Sequence, residues 1–206
     1  MGNSTFLFVI EIIGTFAFAV SGIRTAANKR FDLFGAYVVG LVTAIGGGTI
    51  RDLMLDITPF WMLDPIYLIV TGISLALVII LGKYLSRLEN TFFIFDTIGL
   101  ALFVVVGMQK TIALDYPFWV AIIMGTLTGA FGGILRDILV NEEPLIFRKD
   151  IYASACIIGG TIYWLAAELG ITDTITQSAA AAGVILTRFA AVKFHWALPT
   201  LKGENK

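Results

Sequence analysis

Gly46-Gly47-Gly48-Thr49-Ile50-Arg51-Asp52 and Phe131-Gly132-Gly133-Ile134-Leu135-Arg136-Asp137 are near-copies of one phrase: glycines, two intervening residues, then Arg-Asp. Each lies at the end of a long apolar stretch. Glycine weakens a helix because it has no side chain to pack and loses the most backbone entropy on folding. An Arg-Asp pair is costly to place in hydrocarbon. A chain that accepts both penalties, twice, is not building an inert span.

The two phrases stand 85 residues apart, and the same offset works far beyond them without a gap. It pairs Glu11 with Asp96, Gly14 with Gly99, Phe18 with Phe103 and Gly22 with Gly107. Further on it pairs Gly40 with Gly125, Thr43 with Thr128, Pro59 with Pro144 and Tyr67 with Tyr152. Between Glu11 and Tyr67, 15 of 57 positions are identical at this offset. Apolar composition produces chance matches among Ile, Leu and Val, but not matched Arg, Asp, Pro, Thr and acidic residues. The pattern reads as an internal duplication.

What is duplicated is a membrane segment. The chain is 58% hydrophobic, with a mean hydropathy of +0.89, above the roughly 45–50% apolar content of soluble domains. The expected fold is an all-α polytopic membrane protein, a single membrane domain over residues 1–206. Apolar segments at about 6–23, 33–53, 66–83, 91–108, 117–139, 151–169 and 175–192 predict seven transmembrane helices. Ala17-Phe18-Ala19 has the small-x-small form of a leader cleavage site, but no Lys or Arg precedes the apolar run, and the segment has a partner at the offset. It is therefore read as a span. Repeat 1 covers about 6–83 and repeat 2 about 91–169, followed by an extra helix at about 175–192 and a polar tail at 193–206. Three spans per repeat is an odd number, so the second copy must enter the membrane from the opposite side, giving an inverted-topology repeat.

Orientation follows from Lys and Arg. With the N-terminus outside, the inner loops collect Arg24, Lys29, Arg30, Lys83, Arg87, Arg148 and Lys149. The inner tail adds Arg188, Lys193, Lys202 and Lys206, while the outer loops keep Lys110 apart from the arginines of the phrases. The expectation is N-terminus out and C-terminus cytoplasmic. Trp61, Trp119, Trp164 and Tyr116 near segment ends fit an interfacial belt.

The second and fifth spans carry two stripes at four-residue spacing. Ala36, Gly40, Ala44 and Gly48, and in the other copy Ala121, Gly125, Gly129 and Gly133, form a small-residue face suited to close helix approach. Thr43, Gly47 and Arg51, matched by Thr128, Gly132 and Arg136, run beside it. These two helices are expected to cross near the pseudo-two-fold axis. The glycine runs are expected to bend or unwind them, freeing carbonyls for Thr hydroxyls, water or a passing cation. The Arg-Asp pairs are open to two compatible readings, an ion lock that holds the fold and a lining of the pathway. Glu11 and Asp96 are likewise either cation-attracting carboxylates at the two mouths or partners for an Arg of the facing repeat.

Several chemistries are excluded or unsupported. One cysteine, Cys156, forms no internal disulfide and reads as a small core residue. With one histidine, His195, in the polar tail, no fixed metal site can be assembled from His and Cys. No HExxH, CxxC or GxSxG pattern and no P-loop Lys-Ser/Thr occurs, so an enzyme is not expected and no cofactor is implied. The basic residues sit beside spans and give no nucleic-acid footprint.

The doubled phrase, the three-plus-three-plus-one layout and Asp64-Pro65-Ile66-Tyr67 after the first phrase resemble the prokaryotic branch of the trimeric intracellular cation (TRIC) channels. Bacterial sequences of that branch are also grouped under a glycine-transporter domain. The resemblance covers about 5–192. It implies a homotrimer in a prokaryotic cytoplasmic membrane, each protomer holding a pore for monovalent cations, chiefly potassium, lined by kinked second and fifth helices. It makes Gly46, Gly47, Gly48, Gly132 and Gly133 the kink positions, and Arg51, Asp52, Arg136 and Asp137 pore or gate residues, with Thr43 and Thr128 on the same stripe. The Lys-Glu-Val lipid-binding motif of the animal members is absent, so phosphoinositide regulation and a reticulum location do not carry over. Membrane lipid and permeant cations are then the expected partners. A secondary transporter of a small solute such as glycine is the alternative, since inverted repeats with broken helices also build transporters. A purely structural protein would not need matched intramembrane charges.

Overall fold

A computed structural model describes residues 2–87, 91–149 and 151–199 of the chain. Asp150 and the tail residues 200–206, including Lys202 and Lys206 of the orientation argument, lie outside the described residues. The described residues form helices and connecting turns, with no strand among them. In order these are α1 (Gly2–Asn28), α2 (Leu33–Met54), the single turn α3 (Phe60–Leu63), α4 (Ile66–Arg87), α5 (Thr91–Ile112) and α6 (Phe118–Leu139). A 3-10 turn (Leu145–Phe147), α7 (Ala153–Glu168) and α8 (Asp173–Lys193) follow.

Among the described residues, five of these helices are long and apolar enough to cross a membrane: α1, α2, α5, α6 and α8. The other two predicted spans are α4, of 22 residues, and α7. α4 has a described apolar stretch of Ile66–Gly82, and α7 has 16 residues, about 24 Å of helix against a hydrocarbon core of about 30 Å. The predicted 151–169 segment begins in the irregular stretch between α6 and α7 instead of in the helix.

The ends of the helices repeat at the same offset as the sequence. After α2, Leu55 N–H donates to Arg51 O and Ile57 N–H to Asp52 O (2.9 Å), with Asp56 left-handed at φ 56°. After α6, Val140 N–H donates to Arg136 O and Glu142 N–H to Asp137 O (2.8 Å), with Asn141 at φ 56°. Asp and Asn tolerate the left-handed region better than other side chains, which is why this closing turn works without glycine. At the other end of α2, the Asp32 side chain caps the helix, accepting from Gly35 N–H at 2.7 Å.

The most extensive packing joins α1, α2, α5 and α6 into a central four-helix group. α4 lies against α1 and α2, and its repeat mate α7 lies against α5 and α6. α8 packs on α7 and α5. Across the centre, Phe18 and its repeat mate Phe103 stack at 5.4 Å. Cys156 is fully buried among these side chains, as a small core residue.

Both α2 and α6 run unbroken as helices through their glycines, so the unwinding expected from the glycine runs is absent. The glycines are used for close approach. A methyl group at Gly47 would collide with the backbone carbonyl of Thr128, and one at Gly132 with that of Thr43, so the two helices cross backbone to backbone in a reciprocal contact. The duties of the two stripes therefore differ from expectation. The Gly40 face meets α1 and the Gly125 face meets α5: a methyl at Gly22 would lie 2.9 Å from Gly40 Cα, and one at Gly107 2.8 Å from Gly125 Cα. The helix-to-helix crossing belongs to the Thr-Gly-Arg stripe. The Thr43 and Thr128 hydroxyls donate within their own helices, to Val39 O and Met124 O, both at 2.6 Å.

Candidate functional site

Each crossing helix ends in its Arg-Asp pair, and both pairs are buried. Arg51 and Arg136 are completely inaccessible, and Asp52 and Asp137 nearly so. Burial of such charges is tolerable only with compensation, and the first layer of compensation is the same in both halves. Arg51 Nε donates to Asp52 Oδ1 at 2.7 Å, and Phe60 N–H donates to Asp52 Oδ2 at 2.8 Å. Arg136 Nε donates to Asp137 Oδ1 at 2.8 Å, and Leu145 N–H donates to Asp137 Oδ2 at 3.1 Å. Phe60 and Leu145 follow the matched Pro59 and Pro144, so the proline turns aim an amide at each carboxylate. Here the ion-lock reading of the phrase has its geometry.

The second layer differs. Arg136 Nη1 also reaches Asp96 Oδ1 at 2.5 Å and Ser21 Oγ at 2.9 Å, and its guanidinium lies 4.6 Å from the Phe92 ring centroid. The other Asp96 oxygen lies 3.6 Å from Arg188 Nη2, an ion-pair separation. Arg188 in turn sits over the rings of Tyr152 and Phe93. In the first half Arg51 Nη2 approaches Asp52 Oδ1 at 2.6 Å, yet neither Nη1 nor Nη2 has a hydrogen-bond partner among the described residues. Glu11, the mate of Asp96, is taken instead by Lys110 at 2.6 Å, and Lys110 lies 4.9 Å from the Phe60 ring centroid. Tyr67 lies near Glu11 and Tyr152 near Asp96, but the Tyr152 hydroxyl has no hydrogen-bond partner among the described residues.

Glu11 and Asp96 are thus both ion-paired. Asp96 pairs with Arg136 of its own repeat, not of the facing one, and Glu11 pairs across the repeats with a lysine. Lys110, Arg188 and Ser21 went unassigned as site residues in the sequence because two were counted only as topological charges and the third is an ordinary small polar residue. Arg188 had a legible signal: it is a charge inside an apolar helix. The phrase glycines divide between the crossing (Gly47, Gly132), the Phe60 ring (Gly48), the Tyr152 hydroxyl (Gly133) and Leu135 of the other phrase (Gly46).

A cleft of about 220 Å³ leads to Asp137 between Thr25, Lys29, Phe92, Glu142 and Arg148. On its rim Lys29 bonds Glu142, with Arg148 3.7 Å away. That hydrogen bond, and the Lys29 charge behind it, hold the Glu142 carboxyl below the usual glutamate range. The arrangement compensates every buried carboxylate of the two phrases and their mates with an arginine or lysine of the chain, and among the described residues no three His, Cys, Asp or Glu side chains come together.

The family described as "Glycine transporter" matches the chain twice, over residues 8–83 and 93–168. The two matches are shifted by the offset of the phrases (93 − 8 = 85 and 168 − 83 = 85). A UPF0126 membrane protein of Vibrio cholerae is 41% identical over 200 residues, covering 96% of this chain and 84% of that protein. The UPF0126 inner membrane protein YadS of Escherichia coli K12 is 41% identical over 196 residues, covering 93% and 94%. Among solved structures, the TRIC trimeric intracellular cation channel orthologue from Rhodobacter sphaeroides superposes with a TM-score of 0.88 at 32% identity, over 93% of this chain and 99% of that one. A prokaryotic TRIC channel in 0.5 M KCl gives 0.86 at 29% identity, over 93% and 98%.

Proposed function

The chain belongs to the TRIC family and also matches the glycine-transporter description and UPF0126 membrane proteins, and from that premise we propose that it is a cation channel of the bacterial cytoplasmic membrane, permeable to monovalent cations and chiefly potassium. The observation that carries the reading is the superposition, at a TM-score of 0.88, on nearly the whole of a trimeric intracellular cation channel. In this reading the protein is a homotrimer with a pore in each protomer. α1, α2 and α4 form the first repeat, α5, α6 and α7 the inverted second repeat, and α8 is the seventh span. The N-terminus is outside and the tail cytoplasmic.

The pathway follows α2 and α6. Thr43, Thr128 and the Gly46–Gly48 and Gly132–Gly133 segments surround the crossing, and the Arg-Asp pairs with Glu11 and Asp96 stand at its two ends. Because each carboxylate is held by a cation of the chain, a permeating ion meets exposed negative charge only when a pair opens. Bending at the glycines, the weakest points of both helices, is the opening motion. The test is purified protein in planar bilayers and liposomes. Unitary currents that reverse near the potassium equilibrium potential are expected. Saturable, gradient-driven glycine uptake without such currents would replace this reading with the small-solute transporter that the family description names.

A further inference from the structure

At the end of α8 the chain turns back on itself. Phe194 N–H donates to Ala190 O and Trp196 N–H to Ala191 O, and His195 takes the left-handed conformation at φ 54°. Leu198 N–H then donates to Lys149 O at 3.0 Å, tying this segment to the loop before α7. Between the two lies a cavity of about 350 Å³, lined by Lys149, Ile151, Arg188, Val192, His195 and Trp196 among others. None of its described lining residues is acidic. Lys149 and His195 are exposed at its edge.

Arg188 is different. It is 4% exposed, and its Nε has no hydrogen-bond partner among the described residues. Nη1 donates to Ile151 O at 3.2 Å, and Nη2 approaches Asp96 Oδ2 at 3.6 Å. A buried guanidinium left short of acceptors is costly, and the cavity it lines supplies two further donors and no competing described carboxylate. A planar guanidinium matches phosphate oxygens in pairs, and an ammonium adds a point charge.

We propose that this cavity is an anion site for a phosphate group, carried on an anionic phospholipid or free in solution. The half-exposed Val192, Phe194 and Trp196 on the same segment supply apolar surface beside the charged pocket, the combination that a headgroup with its glycerol and chains requires. The position of the site in the cytoplasmic leaflet rests on the topology proposed above; its anion chemistry does not. Because Arg188 also faces Asp96, an anion here competes with the buried cluster for the same guanidinium.

Native mass spectrometry of the detergent-purified full chain, with phosphatidylglycerol and phosphatidylcholine of matched acyl chains, tests the site. Phosphatidylglycerol is expected to be retained preferentially. The surface double variant Lys149→Gln/His195→Gln is expected to weaken its retention about five-fold or more, chiefly through the lost lysine charge, with phosphatidylcholine unchanged. Inorganic phosphate that displaces the lipid at millimolar concentration or below assigns the site to free phosphate. A lack of competition assigns it to the lipid. Equal retention of the two lipids, or a double variant that binds like the parent, overturns the proposal. Bilayer currents report separately: lipid selectivity without currents overturns the channel reading alone, and currents without lipid selectivity overturn the anion site alone.

Discussion

In the first half of the molecule Arg51 hydrogen-bonds Asp52 and nothing else described, while Glu11 is bound by Lys110, whose side chain is 23% exposed. In the second half one guanidinium, Arg136, gathers Asp137, Asp96 and Ser21, and α8 brings Arg188 to the far side of Asp96. The backbone beneath the two is the same: the same closing turn, the same amide on the second aspartate oxygen, the same hydroxyl bond at Thr43 and Thr128. The difference lies in a few unmatched positions. Ser21 stands where the offset places Val106, Lys110 where it places Thr25, and Arg188 has no counterpart because α8 is outside the repeat. Duplication therefore sets where the charges stand, and single residues set which charges bind. The second cluster is cross-braced by Asp96, Ser21 and Arg188, although Arg136 Nη2 and Asp96 Oδ2 also lack a hydrogen-bond partner among the described residues. The first leaves two nitrogens of one arginine without such a partner and holds its glutamate through a partly exposed lysine, so its partners are the easier to exchange.

The largest effect that would break this comparison is on stability. Arg136→Gln leaves Asp96 and Asp137 buried with less compensation and is expected to destabilise by about 3–5 kcal/mol. Arg51→Gln is expected to cost less by about 1–2 kcal/mol, because fewer bonds are lost and two unsatisfied nitrogens are removed. Thermal unfolding in detergent followed by tryptophan fluorescence orders the two, and equal losses would show that the extra bracing carries no energy.

Next come the positions where the halves are alike. Gly47→Ala and Gly132→Ala each push a methyl into the opposite helix's carbonyl, and each is expected to destabilise by about 1–3 kcal/mol or more. The same unfolding measurement should give nearly equal values, and a clear inequality would mean that the crossing is not reciprocal in energy.

A smaller change separates the clusters functionally. Lys110→Gln removes the charge that compensates Glu11, whose side chain is 6% exposed, at a cost of about 1–3 kcal/mol, and leaves Glu11 to find another partner. A few-fold change in single-channel open probability, with a smaller loss of thermal stability than Arg136→Gln, is expected in planar bilayers. No change in gating would place the exchangeable cluster outside the gate.

The smallest effect lies at the Lys29–Glu142 pair, which bridges the two halves and has no counterpart at the offset, where Leu114 and Ile57 stand. The folded protein lowers the Glu142 carboxyl, so the pair contributes stability above the unfolded glutamate value of about 4.3 and loses it as pH falls through the lower folded value. Glu142→Gln is expected to flatten slightly the decline of melting temperature with acid below that point, and an unchanged slope would remove this pair from the contrast.

The duplication was legible because Arg, Asp, Pro and Thr matched at one offset, and the paired ends of α2 and α6 follow from it directly. The role of the glycines was not legible, since unwinding a helix and admitting a neighbouring backbone both require only a missing Cβ. Gly47 looks the same on paper whether it frees a carbonyl or receives one from Thr128. The partners of Glu11 and Asp96 were hidden for another reason. Lys110 and Arg188 stand 99 and 92 residues away from them, and only the packing of α1 on α5 and of α5 on α8 brings each pair together. α7 shows the limit of hydropathy, because the apolar stretch of 151–169 starts before the helix does.

The reciprocal crossing at Gly47 and Gly132 also has a mechanical meaning. Each helix is notched into the other, so neither slides along its partner, and the freedom that remains is rotation about the notch. The notch is off-centre by the same amount in both. Fourteen residues run back to Leu33 or Phe118 and seven run on to Met54 or Leu139, arms of about 21 Å and about 10 Å. An equal turn of either arm about this point moves the tip of the long arm about twice as far as the tip of the short, charged one. Opening by bending at the glycines is therefore expected to show as a wider displacement at Leu33 and Phe118 than at the arginines.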